Sequence, residues 1–323
     1  MILKRHPENP IITPADIPEL KPLLVDVSSV FNPGAVRFGD KYLLLLRAQN
    51  RGRETYLLRA LSDDGVHFEI NPEPIVFKGI VNVAENIYHV YDPRVTCIGH
   101  TYYIMVALDM DSCCRLGLAR TDDFEHFEFL GIVSKNDCRN GVLFPERIDG
   151  RYLRLDRPNR VRLESGATTG TVIEISQSKD LIHWTSLGTV MEGRLHFWDE
   201  LIGAGPPPVK TEKGWLLIYH GVATHLNGHL YQVGVALLDL AQPQTVLARG
   251  RFNILEPREL YEQVGQVPNV IFPSGMIVEH SDERGFAKME SKVLLYYGAA
   301  DTWVCLATST LAQLVAACYE GNP

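Results

Sequence analysis

The run Lys41-Tyr42-Leu43-Leu44-Leu45-Leu46-Arg47, entered through the turn pair Gly39-Asp40, decides the reading of the fold. It is apolar, shorter than an ordinary helix and fenced by turn-forming residues, which is the pattern of a strand. The segment returns four times: Thr101-Tyr102-Tyr103-Ile104-Met105-Val106, Arg151-Tyr152-Leu153-Arg154-Leu155, Gly214-Trp215-Leu216-Leu217-Ile218-Tyr219 and Lys292-Val293-Leu294-Leu295-Tyr296-Tyr297. Each follows a turn signal, Gly99-His100, Asp149-Gly150, Glu212-Lys213-Gly214 and, less cleanly, Met289-Glu290-Ser291. A second marker falls after three of the runs: Ser62-Asp63-Asp64-Gly65-Val66-His67-Phe68, Thr121-Asp122-Asp123-Phe124-Glu125-His126-Phe127 and Ser178-Lys179-Asp180-Leu181-Ile182-His183-Trp184. Such a turn caps an outer hairpin and tucks its aromatic against the neighbouring sheet. Five units of roughly 50–80 residues match a propeller, whose blades have no closed core alone and must lean on one another. Helical spacing is confined to residues 310–319, where Leu311, Leu314, Val315 and Cys318 share a face and Gly321 follows. The prediction is an all-β, five-bladed β-propeller with a short C-terminal helix. With no linker or low-complexity stretch, it is read as one domain over residues 1–323.

Composition narrows the partners. A net charge of −8 and an isoelectric point near 5.8 argue against nucleic acid or an anionic membrane, and suit a neutral sugar. No run of 18 apolar residues is present, and Met1-Ile2-Leu3-Lys4-Arg5-His6-Pro7 lacks the apolar stretch of a signal peptide. Six cysteines, at 97, 113, 114, 138, 305 and 318, form no CxxC pair and are read as thiols of a reducing compartment. The expectation is a soluble cytoplasmic protein without cofactor or metal. Oligomeric state stays open, a homo-oligomer included.

Val90-Tyr91-Asp92-Pro93-Arg94-Val95 sets a carboxylate between an aromatic ring and a proline, with a guanidinium two residues on. Pro93 is expected to push Asp92 toward an extended conformation. An aromatic wall raises a carboxyl pKa and an arginine lowers it, so the residue can be tuned for acid work; a structural turn before proline is the other reading. Around it stand Phe31-Asn32-Pro33-Gly34-Ala35, Arg139-Asn140-Gly141-Val142-Leu143-Phe144-Pro145-Glu146 with Arg157-Pro158, Ile202-Gly203-Ala204-Gly205-Pro206-Pro207-Pro208 with Tyr219-His220-Gly221, and Tyr297-Gly298-Ala299-Ala300-Asp301-Thr302. In this order the stretches resemble glycoside hydrolase family 130, the β-mannoside phosphorylases and β-mannosidases, over residues 7 to 318. The resemblance implies a five-bladed propeller and an inverting enzyme acting on β-1,2- or β-1,4-linked manno-oligosaccharides. Asp92 would be the general acid, acting through a sugar hydroxyl, with Tyr91 a pocket wall and Asp301 a partner of the mannosyl hydroxyls. Asn32, Arg47 and Phe272 match pocket positions, and Tyr231 is a sugar contact or a core aromatic. Each has a plainer reading as well: a turn for Asn32 and Asp301, a paired buried cation for Arg47.

The acceptor is where the motifs divide. Phosphorolysis needs several cations to hold a dianion for attack at the anomeric carbon. The resemblance assigns Arg139, Arg157 and His220 to that task, with inorganic phosphate as co-substrate. The family's lysine normally precedes Ile-Gly-Ala-Gly-Pro; here Leu201 stands there, behind Asp199 and Glu200. Inverting hydrolysis instead needs a carboxylate base roughly 6.5–9.5 Å from the acid. Glu200 or Asp199 could be that base, unless the stretch is a solvated loop and a cation such as Lys210 fills in. Hydrolysis with Asp92 as acid and Glu200 as base is the preferred expectation, and phosphorolysis the alternative. A non-catalytic carbohydrate-binding propeller and a propeller hydrolase of the arabinanase or fructosidase kind are further readings. Retention of Asp92, Asp301, Arg139, Arg157 and His220 together speaks against the first, and the family motifs against the second.

Overall fold

The computed structural model describes residues 2–162, 168–226 and 228–321. Five sheets form the five blades of a propeller, antiparallel except for a short edge strand, Phe77–Lys78, that pairs parallel on blade 2. Blade 1 runs Val27–Phe38, Lys41–Asn50, Thr55–Ser62 and Glu69–Pro74; blade 2 runs Ile87–Ile98, Thr101–Met110, Cys114–Thr121 and Phe127–Ile132. Blade 3 is Cys138–Leu143, Tyr152–Pro158, Val172–Ser178 and Trp184–Glu192, and blade 4 is Leu201–Ala204, Gly214–His225, Gly228–Leu238 and Val246–Arg249. Blade 5 takes three strands from the C-terminal part, Ile271–Val278, Lys292–Ala299 and Trp303–Thr310, and its fourth, Lys4–Arg5, from the N-terminus. The five apolar runs read from sequence are the second strands of the five blades.

Apart from Arg154 in blade 3, those runs are continuously apolar and not alternating, because each blade is buried on both faces. Leu43 and Leu45 pack against Ile104 and Val106 of blade 2, while Leu44 and Leu46 pack against Leu294 and Tyr296 of blade 5. One apolar cluster fills each of the five junctions between blades. The Ser/Thr-x-Asp-x-x-His turns tuck their closing aromatics as expected: Phe68 of blade 1 meets Tyr296 of blade 5 and Phe127 joins the cluster between blades 1 and 2, while Phe124 also meets Phe38 of blade 1 edge-on. The C-terminal helix, Leu311–Ala317, is capped by Thr310, whose hydroxyl accepts from the Gln313 amide, and it buries Leu311, Leu314 and Val315 between blades 4 and 5. A one-turn helix, Leu260–Gln263, was not foreseen. No helix of the described residues is long and apolar enough to cross a membrane.

The innermost strands share an irregularity that carries the site. In blades 1, 2 and 3 two residues of the first strand oppose one of the second, at Asn32-Pro33, Asp92-Pro93 and Asn140-Gly141. The leading residue of each pair is left-handed, with φ of 48°, 52° and 54°. The extended conformation expected for Asp92 is therefore wrong. The bulge demands positive φ at its first residue, and Asn and Asp tolerate that region better than other side chains with a Cβ.

Candidate active site

The bulges turn Asn32 and Asp92 toward one another: the Asn32 amide donates to Asp92 Oδ1 at 3.0 Å. Arg47, from the second strand of blade 1, donates to the same oxygen at 2.9 Å, its guanidinium sandwiched between the rings of Phe31 (4.3 Å) and Tyr91 (4.6 Å). Gly298 makes room for this, since a Cβ there would stand 2.1 Å from Asn32 Oδ1. Burial would push the Asp92 carboxyl up, but Arg47, Arg94 and Asn32 outweigh it and hold it below the ordinary carboxylate value. Asp301 sits in a tight turn of blade 5, both it and Ala300 at positive φ, closed by the Thr302 amide donating to the Ala299 carbonyl. Burial there is opposed by Arg47 and reinforced by the charge of Asp92, and pushes Asp301 up to about 6. The site thus holds one carboxylate kept ionised and one poised near neutrality.

A cationic group adjoins it. Arg139 and Arg157 face each other as a cross-strand pair of blade 3, and His220 of blade 4 lies opposite Gly203. A Cβ on Gly203 would stand 2.5 Å from the His220 ring, so the glycine is what lets the ring lie there. His220 is fully buried, tilted on Phe272 at 4.7 Å and stacked on Tyr231 at 5.9 Å, and neither ring nitrogen has a partner. Burial, then the fields of Arg157 and Arg94, hold it well below the ordinary imidazole value, so it is neutral at pH 7. Arg94 donates to the carbonyls of Gly205 (2.8 Å) and Asp92 (3.1 Å), and burial lowers its pKa to about 10. Buried atoms without a hydrogen-bond partner gather here: Arg94 Nη2, Arg139 Nε, Arg157 Nε, Asn140 Oδ1 and both nitrogens of His220. Unsatisfied buried polar groups are costly, and the arginine donors among them, with the one N–H of neutral His220, describe a receptor for an anion. Arg94 was expected only to lower the Asp92 carboxyl, and Asn140 had no role in the sequence reading. Their place at the repeated bulges, Asn140 within one and Arg94 just after another, was the signal.

Two candidates from sequence lie elsewhere. Asp199 is fully buried and bound by Arg194 (2.8 Å), Arg249 (2.6 Å) and the Tyr219 hydroxyl (2.9 Å). A carboxylate so neutralised holds the fold and is not free to take a proton from water. Glu200 accepts from the backbone amide of Thr224 at 3.4 Å. It stands at the bend just before the strand Leu201–Ala204. Lys210 is tied to Glu146 at 2.8 Å, beside the Thr211–Gly214 turn at the other end of its hairpin, and supplies no charge to Arg139 or Arg157.

The comparisons with known proteins place the chain in one family. Residues 3–320 match the profile of glycoside hydrolase family 130, described as β-1,4-mannooligosaccharide phosphorylase. The chain is 34% identical over 321 residues to the β-1,4-mannooligosaccharide phosphorylase of Ruminococcus albus, covering 97% of this chain and 90% of that one. It is 32% identical to a β-1,2-mannobiose phosphorylase of Thermoanaerobacter, covering 94% of this chain and 96% of that one. Among solved structures, the Listeria innocua β-1,2-mannobiose phosphorylase bound to β-1,2-mannobiose superposes with a TM-score of 0.84 at 27% identity, covering 98% and 99% of the two chains. With the profile matched along almost its whole length and these relatives on either side of a third identical, the chain belongs to glycoside hydrolase family 130.

Proposed function

We propose that the protein is an inverting β-mannoside phosphorylase, releasing α-mannose 1-phosphate from a manno-oligosaccharide. The observation that carries this is the group of unpartnered donors on Arg94, Arg139, Arg157 and His220, next to an acid site formed by Asp92 and Asp301. A phosphate oxygen would attack the anomeric carbon as the glycosidic C–O bond breaks. The leaving oxygen takes a proton that originates on Asp92 and passes through a sugar hydroxyl. In the empty site Asp92 is ionised, partly by the field of Arg94. A phosphate bound among the arginines cancels part of that field and brings Asp92 closer to holding a proton. Inversion turns the β-linkage into an α-phosphate.

The preferred expectation of hydrolysis is given up. Its base candidates lose ground: Asp199 is held in a buried ion cluster, and the contact Glu200 makes is with the Thr224 backbone amide at 3.4 Å. The lysine that Leu201 replaces is offset by the third guanidinium of Arg94, whose field reaches both Arg157 and His220. The relatives, named as phosphorylases, support the same acceptor. Incubation with β-1,4- and β-1,2-mannobiose, with and without inorganic phosphate, tests the reading. Phosphate-dependent α-mannose 1-phosphate is expected, and Asp92→Asn lowers its formation about 10²–10⁴-fold while the fold persists. Free mannose released at a rate indifferent to phosphate would restore hydrolysis.

A further inference from the structure

Among the described residues, Arg139 is the one guanidinium of the anion group ion-paired to a carboxylate side chain. Asp109, near the end of the second strand of blade 2, stands 3.8 Å from Arg139 Nη2. Its Oδ1 also accepts the Tyr91 hydroxyl at 2.8 Å, and the Cys114 thiol closes on that hydroxyl at 3.4 Å. The strand register makes the arrangement inevitable: Asp109 pairs with His89 on one side and Cys114 on the other, so Tyr91, Asp109 and Cys114 share the face turned to Arg139. The Tyr91 ring lies 6.0 Å below the Arg139 guanidinium and 4.6 Å from that of Arg47. One ring therefore separates the cation of the acid site from the cation of the anion site, and Asp109 fixes its hydroxyl end.

We propose that Asp109 is a positioning residue for the acceptor: it aims Arg139, directly and through Tyr91, and so sets phosphate affinity without touching the sugar. The proposal rests on the phosphorolysis reading. A carboxylate beside an anion site would, as a bare charge, repel the acceptor. At 3.8 Å, with its nearer bond given to Tyr91, it steers the guanidinium without neutralising it. Arg139 Nε remains unpartnered and available.

The test is the steady-state kinetics of Asp109→Ala and Asp109→Asn with β-mannobiose and phosphate varied separately. Asp109→Ala is expected to raise KM for phosphate about tenfold, with KM for the mannoside near that of the parent. Asp109→Asn, which keeps an acceptor for the Tyr91 hydroxyl, recovers part of the loss. Tyr91→Phe and Asp109→Ala combined should raise KM for phosphate by less than the product of their separate effects, because they break one chain of contacts. A fall in KM for phosphate in both Asp109 variants would mean that the residue acts only as a repelling charge. Equal losses for both substrates with early melting would reduce it to a fold-holding role. Either outcome overturns the inference. Parent turnover indifferent to phosphate would sink the phosphorolysis reading itself, whereas a phosphate-dependent parent with an unaltered Asp109→Ala sinks only this step.

Discussion

Asp92 and Asp301 both lie within the field of Arg47, yet their carboxyls are shifted in opposite directions. Both feel burial first. Asp92 adds a bonded guanidinium, a second from Arg94 and the Asn32 amide, while Asp301 has Arg47 at a distance and the charge of Asp92 nearby. For Asp301 the folded value of about 6 lies above the ordinary ~3.9, so the folded state holds the proton more tightly. Its stabilising contribution is complete below ~pH 4 and is lost as pH rises through about 6. Asp301→Asn should thus make the protein more stable at pH 8 by roughly 1–3 kcal/mol and bring no gain at pH 4, as read by urea denaturation. The ionised carboxylate is also the stronger acceptor for the mannosyl hydroxyls that the family resemblance assigns to Asp301. KM for the mannoside should rise as pH falls through about 6 in the parent, and the inflection should vanish in Asp301→Asn. The identities of these residues were readable from their motifs. Their opposite shifts were not, because Arg47, Asn32 and Arg94 reach Asp92 from three different strands.

At the scale of the element, the three Ser/Thr-x-Asp-x-x-His turns are built alike. Asp64, Asp123 and Asp180 each accept two backbone amides and a histidine Nδ1. The residue after each aspartate is left-handed: Gly65 at 78°, Phe124 at 56° and Leu181 at 69°. A phenylalanine or leucine accepts that strain only when packing holds it, and both side chains are buried in the junction with the preceding blade. Phe124→Ala is expected to lower stability by about 3–5 kcal/mol in a denaturant titration, since it empties a nest formed with Phe38, Tyr102 and Phe127. The turn was legible as a repeat, and the tucking of an aromatic onto the next sheet was anticipated. That the left-handed residue is itself an anchor was not, because nothing local distinguishes Gly65 from Phe124 at that position until the neighbouring blade is present. The bulges show the same limit. Asn-Pro, Asp-Pro and Asn-Gly stood in the quoted motifs, but their common role as the two-against-one step of an inner strand appears only when the strands are paired.

For the whole molecule, closure of the ring depends on a strand borrowed across the chain. Lys4 and Arg5 pair with Thr308 and Ala307, so the N-terminus completes the last blade. Arg5 then reaches Glu262 through Nε and Nη2, both at 2.8 Å, and Glu262, fully buried, also accepts the Tyr297 hydroxyl at 2.9 Å. Arg5→Met should cost about 3–5 kcal/mol in a denaturant titration, because it leaves a buried carboxylate without its cation; Arg5→Met with Glu262→Leu should recover much of that loss. Sequence by itself determined the five blades, a short C-terminal helix and the family, because these rest on local signals: apolar runs, turn residues and short motifs in order. Tertiary structure alone decided which acidic residues are available. Asp199 and Glu200 are neighbours in sequence beside the departed lysine, yet one is neutralised by Arg194 and Arg249 and the other is bonded to a backbone amide. Asp109, far from any motif, comes within reach of Arg139 only through the junction of blades 2 and 3. Charge acts through space over a few ångströms, and the chain order that writes the strands does not record which charges the closed ring brings together.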